Sequence, residues 1–346
     1  MQRVLIPVSL SLPPPSPEPQ GGIVQSAQSA QSVQWAGETM GTTWSVKAIL
    51  THGRDGNGIE AGIEAGIRAV LDGVIAQMSN WSETSDLSRF NRAAPDTWVT
   101  LPDDCFSVLQ AALQVAHDSG GAYDPSAGPL VDLWGFGPAG KRQIAPTPDD
   151  VARVRQQCGW QRIETDSGQR RARQPGGLSL DFCAIAKGFA VDAVSRYLDA
   201  QGVPSHLVEI GGELRGQGLK PDGMPWWVEL ESPVADGNAT RSLVALLGVS
   251  IATSGDYRRY FEHDGRRYAH TIDPRTGYPA AHALASVTVI HRECMMADAL
   301  STALTVLGPE AGLAFAKRHA LAARFLVRRP DGFEERITPA FAAMQS

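Results

Sequence analysis

The sequence predicts an α/β fold of the α+β kind, a largely antiparallel sheet with helices packed against it. Three observations carry this reading. Short β-rich runs recur at 42–50, 206–210, 285–290 and 322–328. Two stretches, 59–78 and 294–307, place apolar residues at helical spacing instead. In the middle of the chain, the strands within 226–253 are set off by Gly- and Pro-bearing turns at 222–225 and 234–238, which suits antiparallel neighbours better than a doubly wound sheet.

The elements follow in order. "MQRVLIPVSLSLPPPSP" has one arginine and a short apolar run, a weak secretory signal, and "EPQGGIVQSAQSAQSVQ" has the composition of an unpacked linker. Residues 1–34 therefore form a signal-like or disordered segment, and the folded domain spans 35–340. Strand 42–50 leads through a Gly-rich loop at 53–58 into a helix whose stripe is Ile59, Ile63, Ile67, Val70, Leu71, Val74, Ile75 and Met78. Phe106, Leu109, Ala112, Leu113 and Ala116 repeat that pattern in 103–118. Thr147 caps a helix with Pro148 at its first position and Asp149 and Asp150 in its first turn, running to Cys158 and stopping at Gly159. Then come strand 178–181, helix 187–201, strand 206–210, paired strands in 226–253, strand 285–290, helices 294–307 and 309–319, and strand 322–328. No fixed-period repeat marks a solenoid.

A hydrophobic content of 43% over 346 residues supplies a core, and the formal charge of −6 provides no broad basic field, which excludes nucleic acid as a bulk partner. Cys105, Cys158, Cys183 and Cys294 form no C-x-x-C pair, so buried thiols are expected. No run approaches the roughly 18 unbroken apolar residues of a membrane span.

Several polar residues break the pattern. In "ADALSTAL", Asp298, Ser301 and Thr302 share one helix face and could ligate a hard cation such as Mg²⁺; the alternative is an Asp near the helix start with hydroxyls bonded back to the previous turn. Lys187 lies at a helix start, where amides favour an anion, and could complete a phosphate site or be an ordinary surface lysine. "IGGELRGQG" opens no helix, so its glycines serve a turn and not a dinucleotide fingerprint. "GGAYDPSAGPLVDLWGFGP" crowds rings around Asp124 and either folds onto the core or lines a pocket. Trp81 is a further stacking ring. In "YAHTIDPRTGYPA", His270 is a candidate general base and Asp273 its orienter or a turn residue.

Taken together, "ETMGTTW", "MSNWSETSDLSRFN", "GAYDPSAGPLVDLWGFG", "DFCAIAKGFAVD", "VEIGGELRGQG" with "ATSGDYRRYF", and "HTIDPRTGYP" with "ADALSTAL" resemble, in this order, the ApbE-type FAD:protein FMN transferases over residues 38–330. The resemblance implies a T-fold-like architecture and an Mg²⁺-dependent transfer of FMN from FAD to a Thr or Ser hydroxyl of a target protein, with release of AMP. It also implies flavin-nucleotide contacts at Met40, Trp81, Ala122, Tyr123, Asp124, Asp181, Lys187 and Thr271. Metal ligands are implied at Asp298, Thr302 and the Ala184 carbonyl with Ser301 close by, and His270 as the base. Departures from the family pattern are Cys183 for glycine, Tyr123 for phenylalanine, Ser126 for threonine, Thr271 for isoleucine, and Ser301 where an extra acid sometimes stands.

The partner implied is an acceptor redox protein with a flavinylation motif, a membrane-bound electron-transfer subunit. Its signature, Asp-x-x-Ser/Thr-Gly-Ala-Thr, does not occur in this chain. The resemblance points to the periplasm or the periplasm-facing inner membrane, with the cytoplasm as the alternative. Rival activities are FAD hydrolysis to FMN and AMP, or non-catalytic FAD carriage. The lack of a G-x-G-x-x-G joining a strand to a helix argues against an NAD-dependent oxidoreductase.

Overall fold

The computed structural model describes residues 2–7, 30–51, 56–142, 144–231, 241–257 and 259–345. Eight antiparallel strands form its central sheet, in the spatial order Gly332–Ile337, Ala322–Arg329, Leu284–His291, Val249–Gly255, Glu213–Gln217, His206–Ile210, Thr42–Thr51 and Ala30–Thr39. Trp44 stands opposite Ile210, and the Gly211 N–H donates to the Thr43 carbonyl at 3.0 Å. The turns at Met40–Gly41 and Gly211–Gly212 therefore meet at one end of the sheet.

Pleating sends alternate side chains to opposite faces, and both faces are covered. Trp44, Val46, Val208, Ile210, Val287, Val289 and Phe325 pack against the helices Gly56–Met78, Asp103–Asp118, Ala186–Ala200 and Cys294–Arg318. Ile49, Val249, Ile251 and Ile290 face a second core holding Leu5, Trp226, Val244, Leu246 and Phe341. Burial on two sides leaves every residue from Leu284 to Ile290 buried, Ser286 and Thr288 included. Each such side chain contributes about 1.5–3 kcal/mol.

The amphipathic helices lie where their spacing predicts, with Ile63, Ile67, Leu71, Val74 and Met78 inward. Thr147 caps Pro148–Arg155 through the Asp150 N–H, but that helix stops three residues before Cys158. The Gly-rich loop is shorter than expected, since the helix begins at Gly56; residues 52–55 lie outside the described residues. Of the 226–253 strands, Trp226–Glu229 pairs with Arg241–Leu246 in a separate small sheet, while Val249–Gly255 joins the central one; the turn expected at 234–238 lies outside the described residues.

Other expectations are corrected. The 178–181 segment is extended but is no strand. Side chains satisfy its backbone instead: Asn91 bonds both the N–H and the carbonyl of Leu180, and Gln174 does the same for Leu178. Part of the segment expected to be unpacked is paired. Ala30–Thr39 is an edge strand whose Gln and Ser side chains face outward while Val33 and Trp35 are buried. Gln2–Leu5 runs parallel to Arg241–Leu246, with Leu5 buried in the second core. Residues 8–29 lie outside the described residues. Cys105 and Cys294 are buried as expected, but Cys158 is only partly so, and Cys183 is exposed at a turn.

Cys294–Arg318 is long and apolar enough, by length and composition, to cross a membrane, yet most of it is buried inside the fold. It comprises two helices, as the sequence predicts. Gly308 has φ 80° and ψ −179°, and Pro309 follows it. Proline has no N–H for the Thr305 carbonyl four residues back. His282 Nε2 donates to that carbonyl at 2.7 Å, while its Nδ1 accepts from the Leu284 N–H.

Candidate active site

The start of the Ala186–Ala200 helix and the first turns of Cys294–Arg318 approach so closely that a Cβ on Gly188 would lie 2.3 Å from the Cys294 carbonyl oxygen. Only glycine fits there. The contact lets the buried Asp298 carboxylate accept the Gly188 N–H at 3.1 Å. The anion favoured at this helix start is thus, in the first instance, Asp298. Lys187 Nζ lies 2.6 Å from Glu213 Oε1, with side-chain exposures of 28% and 5%. Burial works against the Lys187 charge, but Asp298 and Glu213 outweigh it and raise the group above its usual range, so it remains an ammonium ion. Burial pushes the Asp298 carboxyl upward, against Lys187 and the Gly188 N–H.

The same contact bears on the expected metal ligands. In a continued helix the Gly188 N–H would bond the Ala184 carbonyl; its engagement with Asp298 releases that carbonyl from its helical donor. Ser301 donates its hydroxyl proton to the Asp298 carbonyl at 2.9 Å and keeps its lone pairs. Among the described residues no group of three or more His, Cys, Asp or Glu is placed to hold a metal. The donor set at this helix face is therefore one carboxylate with neutral hydroxyl and carbonyl oxygens. It fits a hard cation that completes its shell with water or phosphate oxygens, and it does not fit a soft or fully protein-caged metal.

Gly120 and Gly121, with φ 61° and 79°, turn the chain from Asp103–Asp118 into the aromatic loop. This loop folds onto the core. Ala122, Tyr123, Leu130 and Trp134 are buried, and Gly128–Leu133 is a short helix. Asp124 ties the loop together: Oδ1 accepts from the Ser126 N–H and hydroxyl, and Oδ2 from the Trp160 N–H. Asp181 Oδ1 caps the Cys183 N–H at 2.7 Å, and the Asp181 N–H donates to the Pro125 carbonyl at 2.7 Å. Burial first, then the charges of Asp298, Asp181 and Asp124, push the Tyr123 phenol up, and the Asp181–Pro125 bond with the close approach of Gly128 to Asp181 sets the loop against the turn before Ala186–Ala200. Trp81, 57% exposed, neighbours Cys183 at the open side. Met40 holds φ 49°, unusual for a non-glycine residue, in the turn beside Gly211.

In the 268–280 segment, Tyr268 and Ala269 end a strand paired with Tyr260–His263, and Ile272–Asp273 then pairs with Tyr278–Pro279 in a short hairpin. Asp273 shapes it as expected, accepting from the Arg275 N–H and guanidinium, while its carbonyl receives the Gly277 N–H at 2.7 Å. At Gly277, with φ 85°, a Cβ would lie 2.6 Å from Val151, and Trp134 Nε1 donates to the Gly277 carbonyl at 2.8 Å. Asp273 is therefore a turn residue and makes no hydrogen bond to His270. The orienter is the Arg259 carbonyl, which accepts both the His270 main-chain N–H at 3.0 Å and Nδ1–H at 3.2 Å. That leaves Nε2 with a lone pair. Burial, then the Arg259 charge, pushes the imidazole down to about 4, and the Lys187 charge acts in the same direction. Thr271 is buried beside it.

The structure thus brings Lys187, Asp298, Tyr123 and Asp181 to one locus, with His270 in electrostatic reach and Ala184, Ser301, Thr302 and Trp81 on adjoining turns. Sequence reasoning missed Glu213, Gly188 and the Arg259 carbonyl. Glu213 carried a usable signal, a lone acid at an inward strand position after Gly-Gly.

The ApbE family matches this chain over residues 40–325. The FAD:protein FMN transferase of Vibrio cholerae serotype O1 is 38% identical over 313 residues, covering 90% of this chain and 92% of its own. That of Haemophilus influenzae is 38% identical over 317 residues, covering 89% and 90%. The apo crystal structure of Pseudomonas stutzeri flavinyl transferase ApbE superposes with a TM-score of 0.83 at 42% identity, covering 91% of this chain and 97% of that one. With this geometry and this extent of match, the chain belongs to the ApbE family.

Proposed function

We propose that this protein transfers FMN from FAD to a threonine or serine hydroxyl of another protein and releases AMP. The observation that carries the proposal is the charged Lys187, paired with Glu213 and held in its charged form also by the field of Asp298, with the neutral His270 held by the Arg259 carbonyl in electrostatic reach of Lys187. In a chain of net charge −6, and with Glu213 and Asp298 offsetting Lys187, the local positive charge that a pyrophosphate requires would come from Lys187 together with a divalent cation. Asp298, Thr302, Ser301 and the Ala184 carbonyl would hold Mg²⁺, which when bound neutralises charge on the phosphates.

The residues then divide the work. Lys187 holds the pyrophosphate, Trp81 at the open side stacks on the flavin, and the buried loop shapes the pocket. His270 Nε2 takes the proton of the acceptor hydroxyl as that oxygen bonds to the FMN phosphorus. The bond from that phosphorus to the bridging oxygen breaks, and AMP leaves with that oxygen. Negative phosphate beside His270 raises its basicity from the low value of the empty site.

The test is incubation with FAD, Mg²⁺ and an acceptor domain carrying the flavinylation motif, followed by intact-mass measurement. The expected result is an acceptor heavier by one FMN phosphoryl group, and none with Asp298→Ala. AMP without adduct would indicate hydrolysis; neither product would indicate a carrier. His270→Ala should bind FAD normally and slow transfer roughly 10²–10⁴-fold. The acceptor we propose is a membrane-bound electron-transfer subunit met on the periplasmic side, which fractionation of cells making the native chain would check.

A further inference from the structure

The Tyr123 side chain is only 4% exposed, yet its hydroxyl makes no hydrogen bond among the described residues. A phenol removed from water without a partner costs stability that a phenylalanine of the same shape would not. The ring is fixed from behind. Its main-chain N–H donates to Ser119 Oγ at 3.1 Å, Gly120 and Gly121 set the turn before it, and Asp124 after it is tied to Ser126 and Trp160. After burial, the charges that act most on the hydroxyl are those of Asp298, then Asp181 and Asp124, and the Asp181 N–H is itself bonded to the Pro125 carbonyl of this loop. The group therefore stands between the loop and the helix pair that carries Lys187.

We propose that the Tyr123 hydroxyl is a hydrogen-bond donor kept for the bound state, positioning an oxygen that arrives with the dinucleotide and its divalent cation between Asp181 and Asp298. The inference rests on reading this locus as the FAD site. The incoming oxygen is either a phosphoryl oxygen or a water carried by the cation, and both accept the same bond. Tyr123 is a positioning residue: it prepares the site at the expense of the empty protein, and its conservative replacement should separate the two effects by sign.

The experiment compares wild type with Tyr123→Phe, both as the full chain. Denaturant unfolding without ligand is measured first, then calorimetric titration with MgCl₂ alone, FAD alone, and FAD in the presence of MgCl₂. The empty variant should be at least as stable as wild type, and its affinity for FAD with Mg²⁺ should fall roughly tenfold. A loss already present with MgCl₂ alone assigns the oxygen to the cation's water. A loss confined to titrations containing FAD assigns it to a phosphoryl group. A less stable empty variant, the result of a purely structural hydroxyl, overturns the inference, as does unchanged affinity beside a wild type that binds. A wild type that binds no FAD overturns the reading of the site itself, and the inference with it.

Discussion

Glu213→Gln preserves shape and an acceptor oxygen while deleting one charge beside Lys187. The contact it weakens is 2.6 Å long, with Glu213 almost wholly buried and Lys187 about three-quarters so. At an effective dielectric of about 20, unit charges at that 2.6 Å distance attract by roughly 6 kcal/mol. The glutamine oxygen still accepts from the ammonium and returns about 1–1.5 kcal/mol. Relief of carboxylate burial returns more, leaving a net loss of about 2–4 kcal/mol, in line with breaking other buried pairs. Lys187→Met should cost more than Glu213→Gln, because it strands both Glu213 and Asp298. The assay is urea denaturation at neutral pH, with equal m-values confirming that the native and denatured states are otherwise unchanged. A loss below about 1 kcal/mol for Glu213→Gln, or the reverse ranking of the two variants, would refute the claim that this triad is tightly coupled.

Gly188→Ala should lower stability by roughly 3 kcal/mol, read as a fall in melting temperature, since its Cβ meets the Cys294 carbonyl at 2.3 Å and two helices must separate. Trp81→Ala, at a ring 57% exposed, should leave the melting temperature unchanged while weakening FAD roughly tenfold in fluorescence titration. His270, held down to about 4 against an ordinary 6.5, binds its proton more readily in the unfolded chain. Its contribution to stability is therefore complete above pH 6.5 and is lost as pH falls from 6.5 towards 4, by at most roughly 3 kcal/mol. Denaturation midpoints across that range should fall less steeply in His270→Ala than in wild type; parallel curves would count against the half-buried, neutral imidazole.

Local rules made much of this fold legible. The amphipathic stripes fix the helices, the Thr147-Pro148 pair marks a helix start, and the spacing of Asp298, Ser301 and Thr302 puts them on one face before any tertiary contact is known. The features that stayed hidden depend on partners remote in the chain. The 178–181 run has strand composition, but Asn91 and Gln174 take its backbone bonds. Ala30–Thr39 is an edge strand with one wet face, so its Gln and Ser residues mask the alternation. Lys187 could not reveal Glu213, because that contact arises only when the Ala186–Ala200 helix packs on the strand Glu213–Gln217, nor His270 the Arg259 carbonyl, which stands opposite it only once Tyr260–His263 pairs with Arg266–Ala269.

The break at Gly308–Pro309 also bears on protein engineering. Because Pro309 denies Thr305 its usual donor and His282 supplies another, the hydrogen-bond ladder of the helical segment before the break is closed without the one after it. Torsion applied to Glu310–Arg318 has no continuous ladder through which to rotate Asp298. An extra residue inserted at the joint should therefore leave the azimuth of the Asp298 turn unchanged and register its cost in the distal segment, whose Phe315 and Ala316 would rotate away from the core they share with Phe325.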